Sequence, residues 1–500
     1  MAPAGVTGRF RPSRPAIAVL VLVLVVVLVA GLAVGLTVGL STSGVSWPAG
    51  VAPIAAFVSH DRGLPFLRSV PVHFQTPKVF DKDVAEQTTP TSAATLADAR
   101  RYASALRALG LLDGSVNLVT AETAADEAGG VLGYYTPTAK AVYLRGRTLT
   151  PAVRVTLAHE LTHALQDQHF GLNRLGRHAV TEGQQFGLTA LEEGDAVLDE
   201  DDYQASLPAA EQRQATAQPT TAGGTAGPTV PVLTVTSSVP YVLGPDLVNA
   251  LYAVGGNATV DAAYRRPPAS ELAVLDPVDY LRHVGQRTLP VPAVPPGDHR
   301  QGGTQTPTFG AFTLYLTLAA RLPAKTALAD ADSWGGGSMV QYRTAAGQSC
   351  LTADLVGRTP GDTATLAKAL AGWAAAMPAG QASVTTASTG GTGGTGGTGG
   401  TVQLTACDPG KAAKAGPGTL DAALTVADQR NENEVDALYA GAAPAVAGCV
   451  GDDALADRAL LKAETAQNAS GSPPASATRT VNQGIARLVR RCGAAEHHSS

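Results

Sequence analysis

Aromatic side chains are scarce in this sequence. Phe, Tyr and Trp together make up 5% of the 500 residues, so Ala and Val must supply much of any core. Positive charge is in no surplus either: 36 Lys and Arg stand against 41 Asp and Glu, a formal net charge of −5. No basic cluster interleaved with aromatic residues occurs, and no nucleic-acid partner is expected. The glycines of Trp334-Gly335-Gly336-Gly337-Ser338 are not followed by Gly-Lys-Ser/Thr, which favours a tight turn over a phosphate cradle. Cysteine is limited to Cys350, Cys407, Cys449 and Cys492, with no Cys-x-x-Cys spacing that would suggest a metal.

What is present is enough for more than one core. Hydrophobic residues reach 45%, and a chain this long is expected to form two or three units. Near the N-terminus, Arg9, Arg11 and Arg14 precede an uncharged, Val- and Leu-rich run from Ala16 to Leu40. A signal peptide has an apolar stretch of roughly 7–15 residues, whereas a membrane-spanning helix needs about 20. The run therefore reads as an uncleaved single-pass anchor. Arginines before the span and none soon after it put residues 1–15 in the cytoplasm and the rest outside. An oxidising compartment makes the four cysteines two disulfides. Of three pairings, the sequential one, Cys350–Cys407 and Cys449–Cys492, is expected because each bridge would staple one local unit.

The chemistry sits in Leu157-Ala158-His159-Glu160-Leu161-Thr162-His163-Ala164-Leu165-Gln166-Asp167-Gln168-His169-Phe170. Apolar residues recur there at helical spacing, with no Gly or Pro until Gly171. Positions four apart share a helix face, so His159 and His163 can present two imidazole nitrogens to one metal ion. Glu160 is one step round the helix, placed to hold a water beside the metal and move its proton. A catalytic zinc takes three protein ligands and keeps one position open. Thr189-Ala190-Leu191-Glu192-Glu193-Gly194-Asp195-Ala196, about thirty residues on, leaves room for a second helix to return and bring a carboxylate.

With these two stretches the chain resembles the gluzincin-type zinc metallopeptidases, in which a carboxylate on a following helix completes the site. It is also similar to membrane-anchored bacterial proteins, often actinobacterial, that carry His-Glu-Leu-Thr-His-Ala-Leu-Gln-Asp-Gln and Glu-Gly-Asp-Ala. The resemblance runs from about Gly133 to Tyr342. It implies that Glu193, immediately before the glycine, is the third ligand, with Glu192 its neighbour. It further implies one Zn2+ per chain, Glu160 as general base, and a peptide or protein substrate. The strand before the metal helix, Lys140 to Arg145, would form the upper rim of the cleft, with an exposed edge able to align an extended peptide. Asp195 is a candidate to orient a histidine from behind, and Tyr241 and Tyr264 are candidates to stabilise an oxyanion. The segment from Tyr264 to Pro277 departs from its relatives' pattern: Leu272 stands where they have Glu and Asp276 where they have His, so no role carries over to either.

The remaining expectations are structural. The fold class is α+β, mainly helical. Residues 41–60 read as a linker, 61–330 as a zincin-like catalytic domain, and 331–410 as a small α/β unit interrupted by a Gly/Thr-rich loop at 389–401. Residues 411–492 read as a helical C-terminal region and 493–500 as a tail. Residues 215–229 and 389–401 are low in apolar side chains and read as surface loops. Asp199, Glu200, Asp201 and Asp202 read as a solvated helix end rather than ligands, and His169 and His178 as spare histidines. The function expected is an extracytoplasmic, membrane-anchored zinc peptidase that hydrolyses peptide bonds with zinc-activated water. The rival is a catalytically inactive peptidase-like scaffold of the cell envelope.

Overall fold

A computed structural model describes residues 47–88, 93–118, 131–217, 230–302, 307–387, 400–468 and 474–499. The expected anchor at 16–40 lies outside these residues, as do 218–229 and 388–399, most of the two expected loops. Among the described residues no helix is long and apolar enough to cross a membrane. The described chain is mostly helical, with two separate sheets.

The N-terminal elements are α1 (Ala52–Arg62), β1 (Val72–Gln75), α2 (Pro77–Thr88) and α3 (Ala93–Ala108), followed by β2 (Gly133–Thr136) and β3 (Ala141–Arg145). The first of these corrects the expected linker at 41–60. Val51, Ile54, Ala55 and Val58 are buried against Val142, Leu144, Leu157 and Leu161. Their three- and four-residue spacing marks the inner face of a short helix, and Pro and Gly at its two ends hid it.

The small sheet has the order β1-β3-β2, with β1 parallel and β2 antiparallel to β3. The Ala141–Arg145 strand is therefore central, hydrogen-bonded on both sides, and cannot be the open rim. The edges of this sheet among the described residues are β1 and β2. Val72–Gln75 is too short and too far upstream to have announced itself as the missing neighbour. The face with Val142 and Leu144 packs on the next helix, while the opposite face carries a stack of His73, Tyr143 and Tyr134, each pair 5.0 Å apart.

That next helix is α4 (Pro151–Phe170). Thr150 caps it by accepting the Val153 N–H, Pro151 opens it with a preset φ, and Gly171 at φ +71° ends it. Most of its side chains are buried, because the small sheet and neighbouring helices cover it on several sides. A short helix α5 (Leu172–His178) turns the chain, and α6 (Glu182–Ser206) runs back behind a Thr181–Gln184 capping box. After α7 (Ala209–Ala217) come α8 (Pro231–Gly255), α9 (Asn257–Arg265), α10 (Leu272–Leu275) and α11 (Pro277–Leu281).

The second sheet is antiparallel in the order β4-β5-β6-β8-β7: β4 (His299–Gln301), β5 (Trp334–Arg343), β6 (Ser349–Gly357), β7 (Ala382–Ala387) and β8 (Thr401–Cys407). Helices α12 (Ala311–Ala319), α13 (Ala324–Ala331) and α14 (Pro360–Ala375) accompany it. Four helices close the chain: α15 (Leu420–Tyr439), α16 (Pro444–Ala454), α17 (Arg458–Asn468) and α18 (Ala475–Ser499). The expected borders at 330 and 410 are crossed by one apolar cluster, which joins Leu191 and Leu243 to Phe312, Trp334, Leu355 and Val426. β4 begins the sheet before the expected border at 331, pairing His299–Gln301 with Gln341–Arg343. Both disulfides form as expected: Cys350–Cys407 joins directly opposed residues of β6 and β8, and Cys449–Cys492 joins α16 to α18.

Candidate metal centre

Helix α4 places His159 and His163 one turn apart, and α6 packs beside it with Glu193 between them. His159 Nε2 lies 3.1 Å from His163 Nε2 and 3.2 Å from Glu193 Oε2, and His163 Nε2 lies 3.4 Å from the same oxygen. Three donors in a near-equilateral triangle are what a tetrahedral site presents. Ligand atoms about 2.0–2.1 Å from a central ion stand about 3.3 Å from one another. All three residues are buried, and Glu193 Oε1 has no hydrogen-bond partner among the described residues. The donor set, two imidazoles and a carboxylate, fits a divalent metal of borderline softness.

Both histidines are held from behind. His159 Nδ1 meets Glu200 Oε2 at 2.9 Å, and His163 Nδ1 meets Gln166 Oε1 at 3.0 Å. Glu200 therefore does not belong to a solvated acidic end. Nor does Asp199, which is wholly buried and accepts from the Thr162 hydroxyl at 2.9 Å. The acidic run is helical and amphipathic: Asp199 and Glu200 face α4, a distinction a stretch of four acids cannot express. Asp195 does not touch a histidine. Its carboxylate receives Arg62 Nε at 2.9 Å, the Tyr264 hydroxyl at 3.1 Å and Gln166 Nε2 at 3.3 Å, so it reaches His163 only through Gln166.

Glu160 is also fully buried, beside the triangle. Its Oε2 accepts the backbone N–H of Tyr135, on the open strand β2, at 2.7 Å, while Oε1 has no partner among the described residues. Burial raises its carboxyl above the ordinary range, with His159, His163 and the Tyr135 N–H opposing. Burial also acts to raise Glu193, but His163 and His159 outweigh it and bring the carboxyl down to about 2. The histidines show the converse: burial opposes their charge, and Glu193 nonetheless draws both upward. Glu192 points elsewhere on α6 and makes no such contact; burial pushes its carboxyl to about 8.

The two tyrosine candidates separate. Tyr241 on α8 stands with its ring 6.4 Å from that of His159, and its hydroxyl hydrogen-bonds Glu193. Tyr264 on α9 lies behind the site, stacked on Phe170 at 4.4 Å with its hydroxyl on Asp195, and cannot meet an oxyanion there. Leu272 is buried in the main core, and Asp276 caps α11 by accepting the Asp279 N–H; neither enters the site. His169 Nε2 meets the Pro65 carbonyl and His178 is an exposed helix end. The second cluster with metal-like spacing, Cys449, Asp453 and Cys492, offers no thiolate because the two sulfurs are bonded to each other.

Tyr135, Gln166, Glu200 and Arg62 are the residues that reasoning from sequence missed. Gln166 had a signal and, through Asp167, so did Tyr135. Gln166-Asp167-Gln168 follows the second histidine, and all three make long-range bonds: Gln166 to the Glu192 carbonyl at 2.9 Å, Asp167 to the Tyr135 hydroxyl at 2.9 Å, and Gln168 to the backbone of Leu67 and Arg68. Polar side chains on a largely buried helix need partners. No protein-family model matches this chain, and neither a curated protein nor a solved structure matches it.

Proposed function

We propose that the chain is a zinc metallopeptidase of the gluzincin type, anchored in the membrane by residues 16–40 with its catalytic part outside the cytoplasm. The observation that carries this is the triangle of His159 Nε2, His163 Nε2 and Glu193 Oε2, with edges of 3.1, 3.2 and 3.4 Å, and the buried Glu160 carboxylate beside it. When bound, the ion would polarise the scissile carbonyl and make an attacking water more acidic. Glu160 takes the proton from that water and later delivers it to the departing amine. Its carboxyl, raised by burial, is better matched to both tasks than an ordinary surface glutamate. The Tyr241 hydroxyl leaves Glu193 to donate to the oxygen that gains charge. An extended peptide lies along β2, whose outer side has no strand partner among the described residues. Two disulfides are in keeping with an oxidising compartment.

The test is metal content per chain of the purified full-length protein, with His163→Ala and Glu193→Ala beside it. One zinc in the parent and far less in both variants supports the site. No metal even after zinc is supplied sinks the reading. The rival, an inactive scaffold that keeps the metal, is favoured by Leu272 and Asp276 bringing no second donor to the site. It predicts zinc but no peptide cleavage, and no difference in cleavage between the parent and Glu160→Gln.

A further inference from the structure

We propose that Arg62 is a positioning residue of the metal centre, acting through Asp195 and Gln166 on the tautomer of His163. The inference rests on the metal-binding reading above. Arg62 closes α1, far from either motif, and is wholly buried. A guanidinium in such a place needs anionic partners. It has two, the Asp195 carboxylate at 2.9 Å and Asp261 Oδ1 at 2.8 Å.

The chain of consequence runs through hydrogen-bond direction. Gln166 Nε2 carries two hydrogens, and two acceptors face it: the Glu192 carbonyl at 2.9 Å and Asp195 Oδ2 at 3.3 Å. The amide is thereby fixed with Oε1 toward His163 Nδ1, at 3.0 Å. An amide oxygen only accepts, so Nδ1 carries a proton, and in the neutral ring Nε2 is the nitrogen left with the lone pair a metal ion needs. If Asp195 were turned away, the Gln166 amide could rotate and offer its NH2 to Nδ1. The ring proton would then sit on Nε2, where it excludes a metal. Arg62 and the Tyr264 hydroxyl donate to the same Asp195 oxygen and hold it in place. Arg62 thus sets the metal-facing atom of His163 without approaching it. Groups of this kind typically change metal affinity when replaced.

The experiment is a zinc titration of the metal-free full-length protein against a chromophoric chelator. Arg62→Met, Arg62→Lys and Gln166→Met are compared with the parent, and the thermal midpoint of each metal-free protein is measured alongside. Zinc should bind about 10–100-fold more weakly to Arg62→Met and Gln166→Met, with Arg62→Lys partly restored. In protein labelled with 15N-histidine, at a pH where the rings are neutral, His163 should be the Nδ1–H tautomer in the parent and a mixture in Arg62→Met. A folded Arg62→Met with the parent's zinc affinity and tautomer would overturn the proposal and leave Arg62 a structural brace. Should Arg62→Met fail to fold, Gln166→Met decides, since it removes no charge: parental affinity there overturns the proposal equally. A parent that binds no zinc overturns the metal reading itself, whereas a parent that binds zinc no better than the variants overturns only the role of Arg62.

Discussion

Glu193, Glu160, Glu200 and Asp195 gather around the candidate metal centre, each in different surroundings. Glu193 sits between two imidazoles and is drawn down to about 2, as a ligand should be. Glu160 is raised by burial and tied to one backbone N–H, as would suit the proton carrier proposed above. Glu200 faces the rear of His159, and Asp195 the rear of Gln166. On this division Glu160→Gln should keep its zinc and lose peptide cleavage by about 10²–10⁴-fold, the usual contribution of a positioned base; metal analysis and a peptide assay on one preparation check both halves. Tyr241→Phe should lower kcat by about 10²–10³-fold with KM little changed, because a donor to the oxyanion acts only in the transition state. An unchanged kcat would remove Tyr241 from the reaction.

At the scale of elements, the site exists because α4, α6 and α8 approach one another closely. A Cβ on Gly194 would lie 2.2 Å from the Gly244 carbonyl carbon, and one on Gly244 would lie 2.4 Å from the Ala190 carbonyl oxygen. Both obstacles are backbone, which no rotamer change can relieve. The glycine after Glu193 is therefore a contact requirement: it lets α8 close on α6 and bring Tyr241 over the ligand. Gly244→Ala should force the helices apart, cost on the order of 1–3 kcal/mol, and weaken zinc binding as well. A thermal melt and a zinc titration together distinguish this from local strain, which would lower the midpoint alone. Helix α4 is fixed with equal care by Tyr135, whose N–H and hydroxyl bridge Glu160 and Asp167 from β2.

For the whole molecule, the candidate centre is one part of a larger packing unit. The apolar cluster that lines the back of α6 and α8 continues through the five-stranded sheet to α15. On α15, Arg430 and Glu434 are buried among Asp276, Asp332 and Asp452. Burial, then Asp276, raises Glu434 well above the ordinary carboxyl range, with Arg430 opposing. A carboxyl whose folded pKa is raised holds its proton after the unfolded chain has released one. Its contribution to stability is thus present below the unfolded pKa, near 4.5, and is lost as pH rises toward the folded value. Glu434→Gln should therefore match the parent near pH 4 and exceed it at neutral pH, by roughly 1.4 kcal/mol for every tenfold gain in proton affinity on folding. Thermal midpoints across pH 4–8 that run parallel would refute this. Farther out, the Cys449–Cys492 bridge closes a loop with a sequence separation of 43 residues. Replacing both with Ser should cost about 4 kcal/mol by loop-closure entropy, read as a lower denaturant midpoint with the zinc content unchanged.

The sequence by itself determined the local facts. His-Glu-x-x-His at helical pitch, with no Gly or Pro until Gly171, names its element because the signal is complete within a few residues. The helices at Pro151–Phe170, Glu182–Ser206 and Leu420–Tyr439 were legible for that reason, as was the pairing of the disulfides with their local units. What only the tertiary structure decided was every relation between distant segments. It made the Ala141–Arg145 strand central by supplying Val72–Gln75 as a neighbour, and turned the expected linker into a buried helix carrying Arg62. It faced Asp199 and Glu200 inward from an acidic run, and it separated Tyr241 from Tyr264, two residues with no local feature to distinguish them. Periodicity records which face of an element is apolar, not what that face meets. Hydrogen-bond partners a hundred residues away leave no mark on local composition, and the residues that support a site are mostly of that kind.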